Sequence, residues 1–431
     1  MGSIAIKLEQ LGIPTVATVV ERHTARFMGA VMSQGYIDYP AMFFNESDTM
    51  TVEGVEAAAE SAVDFVVYGL TEWEPQLMQK DETGKIWQPV AETLTYEGAD
   101  YAEVLEAFNE SFLTEYQWGD GLPLKPPTQE AVEALMATVP YTPTFVVGNW
   151  GPAFADFTIE KIAVNAAMAG AQPEHMPVIV AAMQAITSVK WDNYYAVMKS
   201  AVPLVVVNGP IIEQLNLNSS ANVFGPSALH SANAVIGRAI MMSMRNIGNN
   251  GKGMEPSNLA GNPAAFAGMV VAEAEDILAL AGEGWEPLNV QLGAEPGTNT
   301  VTVLGIDQMN FSISGGVKNA AAYVAPDKGI WPSTAEAFAA RTAGVLVLTP
   351  MYVITEGMEG DMTKADFQQE MYDNARIPVE KFKELVLMDE AGAPVEPNAF
   401  VKELLEGLEE GEGVPVAAAP DKFLIVATGG L

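Results

Sequence analysis

Short apolar runs recur between helix-forming segments along most of this 431-residue chain, and that alternation limits its fold more than any other feature. Strands are expected at Ile13 to Val20, Ala41 to Asn45, Val202 to Val207, Thr300 to Ile306, Gly344 to Leu348 and Phe423 to Thr428. Between them, helices are expected at Ile4 to Leu11, Glu21 to Ser33, Val52 to Val67, Tyr101 to Tyr116, Thr158 to Ala169, Pro173 to Thr187, Ser227 to Asn246, Lys364 to Asn374, Val379 to Leu387 and Asn398 to Leu408. Strands separated by helices and short loops favour a parallel sheet covered by helices, so the fold class is α/β.

A chain of this length exceeds what one core usually supports, which predicts two domains. The stretch from Glu72 to Gly98 carries Pro75, Asp81, Gly84 and Pro89 without sustained periodicity and reads as a connector. A small Rossmann-like or flavodoxin-like domain is therefore expected over 1–98. A larger α/β domain holding the substrate pocket is expected over 99–431. Thr128, after the proline-rich run Gly119 to Pro127, is placed to cap the next helix, with Ala131 where a capping box would have Glu.

The 55 acidic residues against 21 basic ones give a formal charge of -34, which repels nucleic acid and anionic lipid. Neither is expected as a partner. With no cysteine there is no thiolate nucleophile, no disulfide framework and no sulfur-based zinc site. Lys7 and Glu9 interrupt what a signal peptide would need, and no run approaches the roughly 20 apolar residues of a membrane span, so a cytoplasmic protein is expected. Nothing in the sequence selects a nicotinamide, flavin or metal cofactor.

The three histidines, His23, His175 and His230, lack metal-ligand spacing. His23 stands with Arg22 and Arg26 after the first strand, either near a ligand site or as an exposed helix start. On the expected helix from Ser227, the helical rotation puts Asn233 and Arg238 on either side of the line of His230. Such a face suits a carboxylate held by Arg238 and Asn233, with His230 as general acid or base, or a polar contact between helices. Asn208 follows a strand at the carboxyl end, where open α/β sheets bind ligands, although asparagine is also a common turn residue. Asp120, held between Gly119 and the Leu122-Pro123 pair, is the second catalytic candidate. The glycine-rich segment Asn246 to Gly253 lacks P-loop spacing and reads as a loop.

Several segments together resemble the UGSC family of selenocysteine- and cysteine-containing proteins: Gly119 to Thr128 (GDGLPLKPPT), Thr158 to Gly170 (TIEKIAVNAAMAG), Pro203 to Pro210 (PLVVVNGP), Ala232 to Ala239 (ANAVIGRA) and Gly284 to Leu288 (GWEPL). Lys125, Glu160 and Asn165 lie in these segments and join Asn208, Asn233 and Arg238 as substrate-binding candidates. The resemblance covers the chain from near residue 1 to about 306. It implies a selenocysteine-Gly-Ser-Cys loop just upstream of Ser3, before the segment Gly12 to Val16 (GIPTV) that is present here. The first strand and its loop are then expected to be missing from the small domain, as when an in-frame UGA codon is read as a stop. The end at Gly429-Gly430-Leu431, directly after a strand, is likewise expected to be shortened.

A distant similarity to the selenoprotein subunit of glycine reductase implies reductive carbon–heteroatom cleavage or other selenol or thiol redox chemistry, with the nucleophile absent from this chain. Two alternatives stay open. One is a cysteine-free lyase or hydratase acting on a small carboxylate, with His230 or Asp120 moving protons. The other is a non-catalytic accessory subunit whose uncovered sheet edge is buried at an interface. A small-molecule substrate, and a homo-oligomer or a complex with a partner subunit, are expected.

Overall fold

The computed structural model is described here for residues 2–20, 39–45, 51–75, 93–116, 118–150, 155–188, 202–224, 228–248, 268–306, 345–350, 362–387, 399–406 and 413–428, with a few isolated positions between them. The expected helix from Glu21, with Arg22, His23 and Arg26, falls largely outside these residues, as do most of the connector and Asn249 to Gly253. The fold is α/β, with small parallel and mixed sheets and abundant helix. Among the described residues no helix is long and apolar enough to cross a membrane.

The chain forms two compact units: residues 1–203 with 235–268, and residues 204–234 with 269–431. This division groups residues 99–203 with the amino-terminal segment, whereas the composition of the connector pointed to a break at 98.

In the first unit, α1 (Gly2–Gln10) precedes β1 (Ala17–Val20), which pairs in parallel with β2 (Ala41–Phe44), Ala17 opposite Ala41. Ile6, Val19, Phe27, Tyr36 and Tyr39 form the core around this pair. Helix α2 (Val52–Thr71) is capped by Thr51, whose hydroxyl accepts from the Gly54 N–H. After it come α3 (Tyr101–Thr114) and α4 (Gln129–Met136), the latter capped by Thr128 through the Ala131 N–H.

Strands β3 (Val146–Trp150) and β4 (Ala155–Thr158) form an antiparallel pair that the sequence pattern did not reveal. A Cβ on Gly148 would lie 2.3 Å from Thr187 Oγ1, so only glycine lets this pair sit against its neighbouring helix. Thr158 caps α5 (Ile159–Ala169), and α6 (Met176–Ser188) follows a single 3-10 turn at Pro173–His175. Both helices are apolar nearly all round and supply fully buried side chains to this unit, among them Ile159, Ile162, Met176, Ile179 and Met183. Helix α7 (Ala232–Gly248) contributes its residues from Val235 onward.

In the second unit, β5 (Val202–Asn208) is the middle strand of a three-stranded sheet, between β6 (Met269–Ala272) and β7 (Thr300–Ile306). β5 and β6 run parallel, Leu204 opposite Met269 and Val207 opposite Ala272. Every residue of β5 is buried, which explains its unbroken apolar sequence. Helix α8 (Glu275–Ala281) follows β6. β8 (Val345–Pro350) pairs in parallel with β11 (Phe423–Thr428). Between them in sequence lie α9 (Lys364–Asn374), β9 (Arg376–Pro378), α10 (Val379–Val386), α11 (Ala399–Leu405) and β10 (Gly413–Pro415), with β9 and β10 antiparallel. Trp285, Phe367, Met371, Phe382, Phe423 and Ile425 build the core of this part.

Candidate functional site

The carboxyl ends of β5 and β6 carry a buried polar cluster, with Asn208, Glu273 and Lys364 all fully or almost fully enclosed. Asn208 closes β5, and Glu273 is the residue after β6. Because Val207 stands opposite Ala272, the next residues on the two strands, Asn208 and Glu273, are also neighbours. Asn208 Nδ2 donates to Glu273 Oε2 at 2.7 Å and to Glu275 Oε1 at 3.0 Å. The same Glu275 oxygen accepts from the Gly209 N–H at 2.7 Å.

Gly209 must be glycine. Its φ is +96°, and a Cβ there would lie 2.6 Å from the Thr298 carbonyl oxygen and 2.7 Å from Asn299 Oδ1. Asn299 Oδ1 in turn accepts from the Ile211 N–H at 2.9 Å, so the turn after β5 is pinned against the start of β7.

Three further segments converge on Glu273. The Leu288 N–H donates to Oε2 at 2.7 Å, and the Ala427 N–H donates to Oε1 at 3.4 Å. Lys364 Nζ lies 3.7 Å from Oε1 and donates to the Glu286 carbonyl at 2.9 Å. Both side chains of this ion pair are 0 % exposed.

Lys364 is the first residue of α9, whose start is closed by Thr363 and Asp366 in a reciprocal capping box. Burial pushes the Lys364 amine below its ordinary value, against the pull of Glu273. Burial likewise pushes the Glu273 carboxyl up, against Lys364, Asn208 and the two backbone donors. Burial thus works against the charge on both groups while their pairing works for it, which brings the proton affinities of the carboxyl and the amine closer together.

Asn208 is fully buried, and its Oδ1 has no hydrogen-bond partner among the described residues. A buried amide acceptor left unmatched is costly, and its position at the end of a parallel strand is where α/β sheets receive ligands. Among the described residues no group of three or more His, Asp or Glu side chains is placed to hold a metal ion.

The other candidates separate into two groups. In the first unit, Arg238 grips Asp120 with both arms of its fork, Nε to Oδ2 at 2.7 Å and Nη2 to Oδ1 at 2.9 Å, and Nη2 also donates to the Pro123 carbonyl at 3.1 Å. Burial pushes the Asp120 carboxyl up, but Arg238 and the Leu122 N–H outweigh it and hold the group below the usual range. Asp120 is thereby an anchored anion, and Arg238 is committed to the loop over 120–123.

Asn165 belongs to the same surroundings. Its Oδ1 accepts from Asn246 Nδ2 at 2.6 Å, and Asn246 Oδ1 accepts from the Gly119 N–H at 3.1 Å. Lys125 is exposed, its aliphatic stem lying over Gly170. Glu160 is exposed in the first turn of α5. The structure thus gathers Asp120, Asn165 and Arg238 around one loop and leaves the side chain of Glu160 in solvent.

In the second unit, α7 starts at Ala232 rather than Ser227, so His230 precedes the helix and no helical face carries it with Asn233 and Arg238. His230 Nδ1 bonds the Asn216 carbonyl at 3.1 Å. Asn233 is buried and spends its amide on backbone: Oδ1 accepts from the Asn218 N–H at 2.8 Å, and Nδ2 donates to the carbonyls of Val270 and Asn218 at 3.0 and 3.2 Å. Such bonds tie a loop to a strand.

Asn208 is the one sequence candidate found in the buried strand-end cluster; Glu273, Glu275 and Lys364 were not singled out. One signal was available for Glu273: an acid directly after an apolar Met-Val-Val-Ala run stands where a strand end would put it. No family model matches the chain, and neither the curated proteins nor the solved structures contain a match to it.

Proposed function

We propose that the second unit is the catalytic part of an acid–base enzyme of the lyase or hydratase class, acting on a small polar substrate such as a hydroxy acid. The observation that carries this reading is the buried Glu273–Lys364 pair beside the unmatched Asn208 Oδ1 at the carboxyl ends of parallel strands. In a dehydration, Glu273 takes the proton from the substrate carbon and Lys364 gives one to the departing hydroxyl, so water leaves and a carbon–carbon double bond remains. Asn208 Oδ1 accepts from a substrate hydroxyl or amine and fixes its orientation.

A second reading is favoured by the complete enclosure of both charged side chains: the pair is an internal staple of the second unit. The similarity to UGSC proteins supports a third, a subunit of a selenol or thiol redox enzyme whose nucleophile lies outside these 431 residues, none of which is cysteine.

The test is solvent-proton exchange. Wild type and Glu273→Gln are incubated in D2O with a panel of small hydroxy and amino acids, and NMR follows deuterium entering the carbon skeleton and any unsaturated product. Acid–base catalysis predicts exchange with wild type and at least a tenfold loss in a variant that keeps its circular dichroism spectrum. No exchange with any member of the panel, or equal exchange by both proteins, assigns the pair to the structural role.

A further inference from the structure

Helix α2 presents a second face that, among the described residues of its own unit, stays exposed. It packs inward through Ala62 and Gly69, where a Cβ on Gly69 would lie 2.4 Å from Val16 Cγ2 and 3.0 Å from Pro40 Cβ. At ~100° per residue, Val52, Val55, Ala59, Val63, Val67 and Leu70 fall on one separate stripe. Their spacing of three or four residues over five turns is that of a helix-pairing seam. The stripe is open to solvent: Val52 is 71 % exposed, Val63 56 % and Val67 52 %. Lone exposed apolar residues are ordinary, but an aligned set along a whole helix marks an interaction surface.

The charges beside the stripe select its occupant. Glu53, Glu56, Glu60 and Asp64 form an acidic line along one edge, and the chain has no Lys or Arg between Arg26 and Lys80. In an antiparallel pairing of two copies, this acidic edge would meet its own image, which like-charge repulsion opposes. A helix with basic residues flanking an apolar seam meets the opposite charge along the full length.

We propose that α2 is a docking surface for an amphipathic helix of a partner protein, with Lys or Arg along the edge that faces Glu53, Glu56, Glu60 and Asp64. The apolar seam supplies the buried area, and the acidic line sets partner choice and orientation.

The experiment uses the full chain and two synthetic helical peptides of identical leucine seam, one flanked by lysines and one by glutamates, with binding read by fluorescence anisotropy. The lysine peptide is expected to bind saturably and at least tenfold more tightly than the glutamate peptide. The double variant Val63→Ser/Val67→Ser changes no charge and alters only exposed side chains; it is expected to weaken lysine-peptide binding at least tenfold at unchanged circular dichroism. Undiminished binding by this variant overturns the proposal, because the attraction is then only that of a polyanion for a polycation. Sedimentation that shows a dimer abolished by the same substitutions overturns it in favour of a second copy. Crosslinks from position 63 to another segment of the same chain overturn it in favour of internal cover.

Discussion

Replacing Lys364 with methionine tests directly whether the buried pair is electrostatically coupled. The side chains are close in volume, so the packing loss is small and the effect is mainly that of removing a cation 3.7 Å from Glu273. At an effective dielectric of about 20, unit charges at that distance attract by roughly 4.5 kcal/mol. Desolvation offsets part of this, while the Glu286 carbonyl loses its donor, a cost of about 1–3 kcal/mol. Breaking a buried pair from one side typically costs about 3–5 kcal/mol, and that is the range expected for Lys364→Met.

The double variant Lys364→Met/Glu273→Gln removes the stranded carboxylate while keeping an acceptor for Asn208 and Leu288, and should recover at least about 2 kcal/mol of the loss. The sign with pH is also fixed. Glu273 has a folded value above its ordinary one, so its favourable contribution is present on the acid side and is lost as pH rises through the raised value. The deficit of Lys364→Met should therefore grow toward alkaline pH and shrink on acidification. Amide hydrogen exchange of Val205 to Val207 and Val270 to Ala272 reads the opening free energy of this unit by itself, without assuming one transition for the whole chain. A single-variant cost below about 1 kcal/mol at neutral pH, or a double variant that merely sums the two single losses, refutes the coupling.

Two further predictions concern the first unit. Arg238→Gln strips Asp120 of a bidentate partner and should cost about 1.5–3 kcal/mol in denaturant unfolding. Because the Asp120 value is depressed in the fold, its contribution is present above the ordinary 3.8 and lost as pH falls through the folded value. The variant should thus begin acid unfolding at a higher pH than wild type, and an unmoved acid midpoint by circular dichroism contradicts the assignment. His175 is buried and its Nδ1 accepts from the Gln172 N–H at 3.2 Å, and burial lowers its value against the pull of Glu174. A lowered base contributes stability above 6.5 that is lost as pH falls through the folded value, so His175→Gln should flatten the loss of stability below pH 6.5; an unchanged slope shows that the ring does not titrate with folding.

The regular elements of this chain were largely visible in its sequence because local signals agreed with the final packing. β7 at Thr300–Ile306, α9 at Lys364–Asn374 and β11 at Phe423–Thr428 occur with the expected bounds, and Thr128 caps α4 as its position suggested. β6 was not visible, since Met269 to Ala281 (MVVAEAEDILALA) contains no glycine or proline and can be read as one helix. Only pairing with β5, some 65 residues earlier, makes Met269–Ala272 extended. With no strand assigned there, Glu273 reads as one more acid among 55.

Lys364 was recognised as a helix start, but its burial depends on Glu286 and Glu273, about 80 to 90 residues away in the chain. Asn208 was found because a residue at the end of a parallel strand is special by topology, whatever covers it. The start of α7 was misplaced for a non-local reason. Asn216 Nδ2 donates to the Leu229 carbonyl and His230 bonds the Asn216 carbonyl, holding the residues before Ala232 out of the helix.

The convergence of Asn208, Glu273, Leu288, Lys364 and Ala427 on one carboxylate has a consequence for the order in which the protein is made. These residues span more than half of the chain, and β11, which carries Ala427, follows every other described element of the second unit in sequence. During synthesis Glu273 leaves the ribosome long before Lys364, and Lys364 long before Ala427, so the carboxylate has no reason to leave water until its distant partners arrive. The nascent chain can assemble helices and the β5–β6 pair early, but closure around Glu273 belongs to the last stage. A premature stop ahead of Phe423 would leave every charged side chain of the cluster in the polypeptide and still deny it the strand that completes the enclosure.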